Sequence, residues 1–288
     1  MKWTWSRFSY LCRRVRADCR PGDSVGECFE YFGSRNAINL YTQGQPSSSL
    51  ARELENRLSR ITDPEAAQYA ASLYSHINFQ RFYASDLQYK RATLYLLYIA
   101  VVFTAVTAIY SIYVLPTMSS LFELIEQEMS EGFFLMANYG WVLSLFVVAV
   151  LLLSLIIGFK LKRAFNLSSG FSRSFIIRLF AFPSIKRAHA RIVEALRYPV
   201  ESISPAPPFG DKPVDSLVSR HLDDVGRSNM CVATEMEAIV EREFSVLSKS
   251  CEKQIRYITI FVGILIAYLL SQFLVTAYIP IFYSGEAI

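Results

Sequence analysis

The sequence predicts an all-α membrane protein, with two small cytoplasmic helical domains and three transmembrane helices. Three observations predict it. Residues 257–278 form an uncharged, almost wholly apolar run of about 22 residues, which as a helix rises about 33 Å against a hydrocarbon core of roughly 30 Å. Residues 94–115 repeat that pattern, with Lys90 and Arg91 before them and Pro116 after, as Lys253 and Arg256 precede the later run and Pro280 follows it. A mean hydropathy of +0.27 and a 52% hydrophobic content exceed the usual range of soluble chains.

Residues 1–91 read as the first helical domain. Phe8, Leu11, Cys12 and Val15 recur at helical spacing beside arginines, which predicts an amphipathic helix. Pro21-Gly22-Asp23-Ser24 breaks it. Ser24 and Glu27 stand at capping-box spacing before a stripe of Val25, Cys28, Phe29 and Phe32. Residues 43–49 are polar and read as a loop, and Ser48 or Ser49 caps a helix through Leu50, Leu54 and Leu58. Asp63-Pro64 starts a longer helix lined by Tyr69, Leu73, His76, Ile77, Phe79, Phe82 and Tyr83.

The first transmembrane helix is expected over 92–116 and a periplasmic loop over 117–138. Proline lacks the N–H and disfavours helix at the residue before it, so Pro116 and Pro280 read as the points where the chain leaves lipid. The loop carries Glu123, Glu126, Glu128 and Glu131 and no Lys or Arg, while Leu121, Phe122, Ile125, Met129 and Phe133 give it an apolar face for the membrane surface. Tyr139 and Trp141 stand where an interfacial aromatic belt would, at the start of the second transmembrane helix over 139–159.

The charge then reverses. Lys160, Lys162, Arg163, Arg173, Arg178, Lys186, Arg187, Arg191 and Arg197 are met only by Glu194. By the positive-inside rule this side is cytoplasmic and the glutamate loop is outside. Residues 160–256 are the second cytoplasmic domain. Pro199, Pro205, Pro207, Pro208 and Pro213 mark a stiff irregular connection within it, followed by acids and an amphipathic helix through Val232, Met236, Ile239, Val240, Phe244 and Leu247. The third transmembrane helix is expected over 257–279 and a periplasmic tail over 280–288. No apolar segment of signal-peptide length opens the sequence, so the N-terminal region is expected to stay in the cytoplasm.

Signs of catalysis are few. There is no Walker-type phosphate loop, no dinucleotide fingerprint, no zinc-protease helix motif and no nucleophile elbow. No catalytic residue, cofactor or metal site is expected. His76, His189 and His221 are isolated, and Asp223-Asp224 point in different directions on a helix. The five cysteines, Cys12, Cys19, Cys28, Cys231 and Cys251, form no metal spacing, and their odd number argues against a disulfide framework. A net charge of +4 does not suggest a nucleic-acid partner. The spans hold no Asp, Glu, Lys, Arg or His, the groups that ion and proton pathways use at depth. Their most polar cluster, Ser271, Gln272 and Thr276, reads as interhelical hydrogen bonding. Lys160, Lys162 and Arg163 serve as topogenic charge and anionic-lipid contacts, or as part of a docking face for an acidic partner. Glu237 and Glu241 lie on a solvated face or meet a basic partner.

This order of helical domain, span, outer loop, span, helical domain, span and short tail resembles the inner-membrane platform proteins of type IV pilus and type II secretion machines. Two motifs carry the resemblance: Val114-Leu115-Pro116 followed by Leu121-Phe122, and the terminal Tyr278-Ile279-Pro280-Ile281-Phe282. Pro21-Gly22-Asp23-Ser24-Val25-Gly26-Glu27 loosely resembles the turn between the first helices of the family's repeated cytoplasmic domain. Both cytoplasmic regions are short for that family. The Gly-Glu signature of its second domain is absent from residues 225–237, and Glu252-Lys253 stands where the family often has Glu-Pro. The resemblance implies a non-enzymatic, multi-pass protein of the bacterial inner membrane, N-terminus cytoplasmic and C-terminus periplasmic. Its implied partners are a hexameric assembly ATPase, pilin or pseudopilin subunits, other inner-membrane assembly proteins, membrane lipid and further copies of itself. A membrane subunit of a solute transporter is the alternative.

Overall fold

The computed structural model describes residues 2–43, 46–79, 86–124, 131–167, 171, 174–203 and 217–286. Among the described residues every regular element is helical. The chain divides into two compact units, one of Met1–Leu87 with Lys160–Glu252, the other of Gln88–Phe159 with Lys253–Ile288.

In the first unit, α1 (Trp5–Asp18) starts where Thr4 caps it, its hydroxyl accepting from the Arg7 N–H at 3.2 Å. The expected stripe of Phe8, Leu11, Cys12 and Val15 is buried. The chain then turns at Gly22, whose φ of +93° suits a residue without a Cβ. The Asp23 carboxylate accepts from the Arg20 N–H at 2.9 Å and closes that turn. α2 (Val25–Gly33) follows, but Ser24 makes no side-chain cap bond, so half of the expected capping box is absent. After a 3₁₀ turn at Asn36–Tyr41 comes α3 (Ser49–Leu58), capped by Ser48 through the Ala51 N–H. Asp63 accepts from Glu65 and Ala66 and, with Pro64 in the first turn, starts α4 (Pro64–Ser75) as the sequence predicts.

α4 is shorter than its stripe suggested. It ends at Ser75, and His76, Ile77 and Phe79 lie beyond it, while Phe82 and Tyr83 fall outside the described residues. Phe79 is nonetheless buried, stacked on Trp5 with centroids 4.8 Å apart, and edge-on to Phe8, which meets Tyr74 in turn. Each such ring is worth on the order of 2–3 kcal/mol in apolar area removed from water.

The later residues of this unit form α8 (Phe175–Phe180), α9 (Pro183–Glu201), α10 (Leu217–Arg227) and the first part of α11 (Val232–Glu286). The amphipathic stripe expected at the start of α11 is present, with Met236, Val240, Phe244 and Leu247 buried. Pro199 does not open an irregular connection. It lies inside the last turn of α9, and Pro205, Pro207, Pro208 and Pro213 fall outside the described residues.

Met1–Leu87 and Lys160–Glu252, expected as two domains, fall in one compact unit. α9 packs on α3 and α4. Tyr74 donates to the Leu196 carbonyl, Arg197 pairs with Glu53 at 3.0 Å, and Arg57 reaches both Glu53 at 3.6 Å and Glu201 at 3.7 Å. The first segment packs α1 on α4 and α2, and α9 of the later segment adds to that packing through α3 and α4.

The second unit holds α5 (Asp86–Ile109), a π turn (Tyr110–Val114), α6 (Leu115–Leu124), most of α7 (Glu131–Phe165) and the later part of α11. Among the described residues three helices are long and apolar enough to cross a membrane, in Leu97–Thr117, Ser144–Phe165 and Val232–Val275. Phe103, Tyr110, Val147, Leu151, Leu155, Val262, Leu269 and Phe273 meet in their common core. Tyr110 stacks on Phe273, with centroids 4.2 Å apart and ring planes 13° apart. Leu94, Tyr98, Val101, Leu145, Phe146, Phe261 and Ile264 point outward, which is burial when the surrounding solvent is lipid.

Neither proline ends its helix. α6 runs through Pro116 to Leu124, and α11 runs through Pro280 to Glu286. At Pro116 the reason is visible. A proline ring collides with the carbonyl four residues back, here Ile112, in a regular α-helix. The π turn bonds the Leu115 N–H to the Tyr110 carbonyl, five back, and widens the helix where that collision would occur. The Thr117 hydroxyl donates to the Tyr113 carbonyl at 2.7 Å in the same turn. The side chains of Pro280 and Phe282, and those expected to form the apolar face of the outer loop, lie outside the described residues.

Candidate functional site

Among the described residues the candidate sites are a surface and a cleft. The surface is the seam where Met1–Leu87 and Lys160–Glu252 meet. Glu53, on α3, sits between Arg57 one turn on and Arg197 of α9, all three mostly buried. Glu194 accepts from both the Ser219 N–H at 3.1 Å and its hydroxyl at 2.8 Å, which fixes the start of α10. The Tyr198 hydroxyl donates to Asp223 at 2.8 Å, and burial together with that carboxylate pushes it up to about 12. Arg191 pairs with Glu243 at 3.2 Å, and His221 meets Glu235 at 2.9 Å. His189 is buried against Phe171, and burial with the nearby Arg197 pushes its imidazole down to about 4, so it is neutral at physiological pH.

The sequence-predicted contact residues lie on neighbouring helices. Phe165 of α7 packs edge-on against Phe244 of α11, with centroids 6.0 Å apart. Arg163 and Glu241, close before those rings, are exposed, and Lys160, Lys162 and Glu237 are half-buried. Pro116 is exposed on its helix. The expected hydrogen-bonding cluster of the third span is only partly described: the Ser271 hydroxyl donates to its own helix at Tyr268, and the Thr276 side chain lies outside the described residues. Asp223 serves Tyr198, and among the described residues no group of three His, Cys, Asp or Glu could hold a metal.

Two features were missed in the sequence. The first is a buried ion pair, Arg7 with Glu55 at 2.9 Å, whose side chains are 4% and 8% exposed. Trp3 covers the guanidinium, 4.5 Å from the ring centroid. Burial pushes the Glu55 carboxyl up to about 7 against the pull of Arg7. The pair borders a cleft of about 360 Å³ whose walls include Phe29, Glu30 and Asn56. A signal existed: Arg7 stands four residues before Leu11, on the buried side of α1. The second is a disulfide between Cys19 and Cys28, which leaves Cys12, Cys231 and Cys251 as free thiols. An odd count does not exclude one bridge, and these two cysteines flank the Gly22 turn that folds α1 back on α2.

No known protein family, curated protein or solved structure matches this chain.

Proposed function

We propose that this protein is the inner-membrane platform of a type IV pilus or type II secretion machine. In this reading it couples a cytoplasmic hexameric ATPase to the insertion of pilin or pseudopilin subunits. The observation that carries the proposal is the single helical unit built from Met1–Leu87 and Lys160–Glu252. Between those segments lie two of the three membrane-length helices. Two crossings return the chain to the side it left, so both halves of the unit share one compartment, and the third crossing carries the C-terminus to the other side. The basic run from Lys160 to Arg197 supports the cytoplasm as that shared compartment.

A motor acting from water on subunits in lipid needs a firm body on the water side. A unit tied across the seam by Tyr74, Glu53 and Arg197 suits that task. The two proline-centred motifs, Val114-Leu115-Pro116 and Ile279-Pro280-Ile281-Phe282, support the same family. The role is mechanical rather than enzymatic, energy coming from the partner's ATP, and the platform acts as an assembly of several copies. Deleting the gene in its host abolishes surface pili or a secreted substrate, and re-expression restores them. Unchanged filaments and secretion would sink the proposal.

A further inference from the structure

We infer that α8, the short helix after the second membrane-length helix, lies in the headgroup region of an anionic lipid bilayer. α8 places Phe175 and Leu179 one helical turn apart on one face, and they are 76% and 62% exposed. Ile177, on the opposite face, is 1% exposed and anchors the helix to its unit. An exposed Phe and Leu on one turn, held outward by a buried Ile, form an apolar face that water does not favour.

Two observations identify lipid as what covers it. The first is tether length. The uncharged run of the second span ends at Phe159, α7 continues to Phe165, and the ten residues from there to Phe175 span at most about 35 Å. α8 therefore stays near the bilayer that the chain has just left. The second is charge. From residue 160 to 193 the sequence contains no Asp or Glu, while Lys160, Lys162, Arg163, Arg178, Lys186 and Arg187 fall in that stretch. Arg178 is exposed beside Leu179, and Lys186 donates to the Arg178 carbonyl, holding a second cation at the C-terminal end of α8. Apolar side chains bordered by cations alone match acyl chains below anionic headgroups. They match an acidic protein groove less well, because such a groove does not follow from the tether.

The test uses the full chain in nanodiscs, in a Cys231→Ser background that removes the exposed free thiol. A spin label is placed at Leu179→Cys and, separately, at Phe175→Cys. A label at Met230→Cys, an exposed site after α10, is the water reference. Collision rates with oxygen and with a water-soluble nickel chelate are compared in phosphatidylcholine discs with and without phosphatidylglycerol. The expected result is a several-fold higher ratio of oxygen to nickel collisions at 179 and 175 than at 230, greatest with phosphatidylglycerol. Ratios equal to that at 230 would overturn the inference by showing a water-exposed helix. Exclusion of both reagents would overturn it by showing a protein cover, a second copy included. The same ratio in neutral and anionic discs would overturn the charge-based part.

Discussion

Tyr74 donates its buried hydroxyl to the main-chain carbonyl of Leu196, 122 residues further along the chain. The bond joins α4, before the first membrane-length segment, to α9, after the second. It makes a topological statement as well as an energetic one, since two residues in hydrogen-bond contact share a compartment. Tyr74→Phe keeps the ring and loses the bond, and about 1 kcal/mol of stability is expected to go with it. Tyr74→Ala also opens a cavity, for a loss of about 3–5 kcal/mol. Denaturant titration of the detergent-solubilised chain, followed by tryptophan fluorescence, measures both. A Tyr74→Phe variant as stable as the wild type would contradict the bond.

The Arg7–Glu55 pair makes a pH-dependent prediction. Arg7→Met removes the partner of a buried carboxyl. Without Arg7, whose charge and hydrogen bond pull it down, the Glu55 carboxyl rises further above about 7, so at pH 8 the variant must bury an unpaired charge or take up a proton on folding, and the expected loss is about 3–5 kcal/mol. Near pH 5 the carboxyl carries its proton and the loss is smaller. The double variant Arg7→Met/Glu55→Gln removes both charges and loses far less than Arg7→Met at pH 8. Thermal melts of the three proteins at both pH values decide the matter.

His189 makes the opposite acid-side prediction. Its imidazole titrates near 4 in the fold against an ordinary 6.5. Between those values the unfolded chain binds a proton that the folded chain refuses. The stabilisation is therefore complete above pH 6.5 and is lost as pH falls toward 4, by about 3 kcal/mol in all. His189→Gln flattens the stability profile in that window. An unchanged slope would show that His189 protonates freely in the fold.

The Cys19–Cys28 bridge tests the compartment. Disulfides persist in oxidising compartments, whereas the basic run argues for cytoplasm. With the water-facing unit in the cytoplasm, acid-trapped cells yield both cysteines as alkylatable thiols, and the bridge closes only on oxidation of the isolated protein. The oxidised protein then gains about 2–3 kcal/mol over the reduced form, on the chain-entropy scale for a short loop. A bridge already closed in growing cells would place the unit outside and reverse the proposed orientation.

Much of this architecture is legible in the sequence because it is local. About 22 residues without a charge allow one reading, and Asp63-Pro64 carries its own cap. The stripe from Met236 to Leu247 repeats at helical spacing and is buried as expected. What could not be read is non-local or conditional. Glu53 and Arg197 are 144 residues apart, and nothing near either one names the other. That is why two separate domains were expected where one unit forms. Arg7 reads as one arginine among several, and only the fold makes it a buried partner. Pro116 misled for a physical reason: proline clashes with the preceding regular α-turn, but the π turn at Tyr110–Val114 lets the helix continue.

The most direct test of the platform proposal is crosslinking in native membranes, with and without ATP, followed by co-purification of this chain and mass spectrometry. The account predicts that a hexameric ATPase and pilin-like subunits are recovered, with ATPase crosslinks falling within Met1–Leu87 and Lys160–Glu252 and changing with nucleotide. Recovery instead of a solute-binding protein or a nucleotide-binding transport subunit, with no pilin, would contradict it.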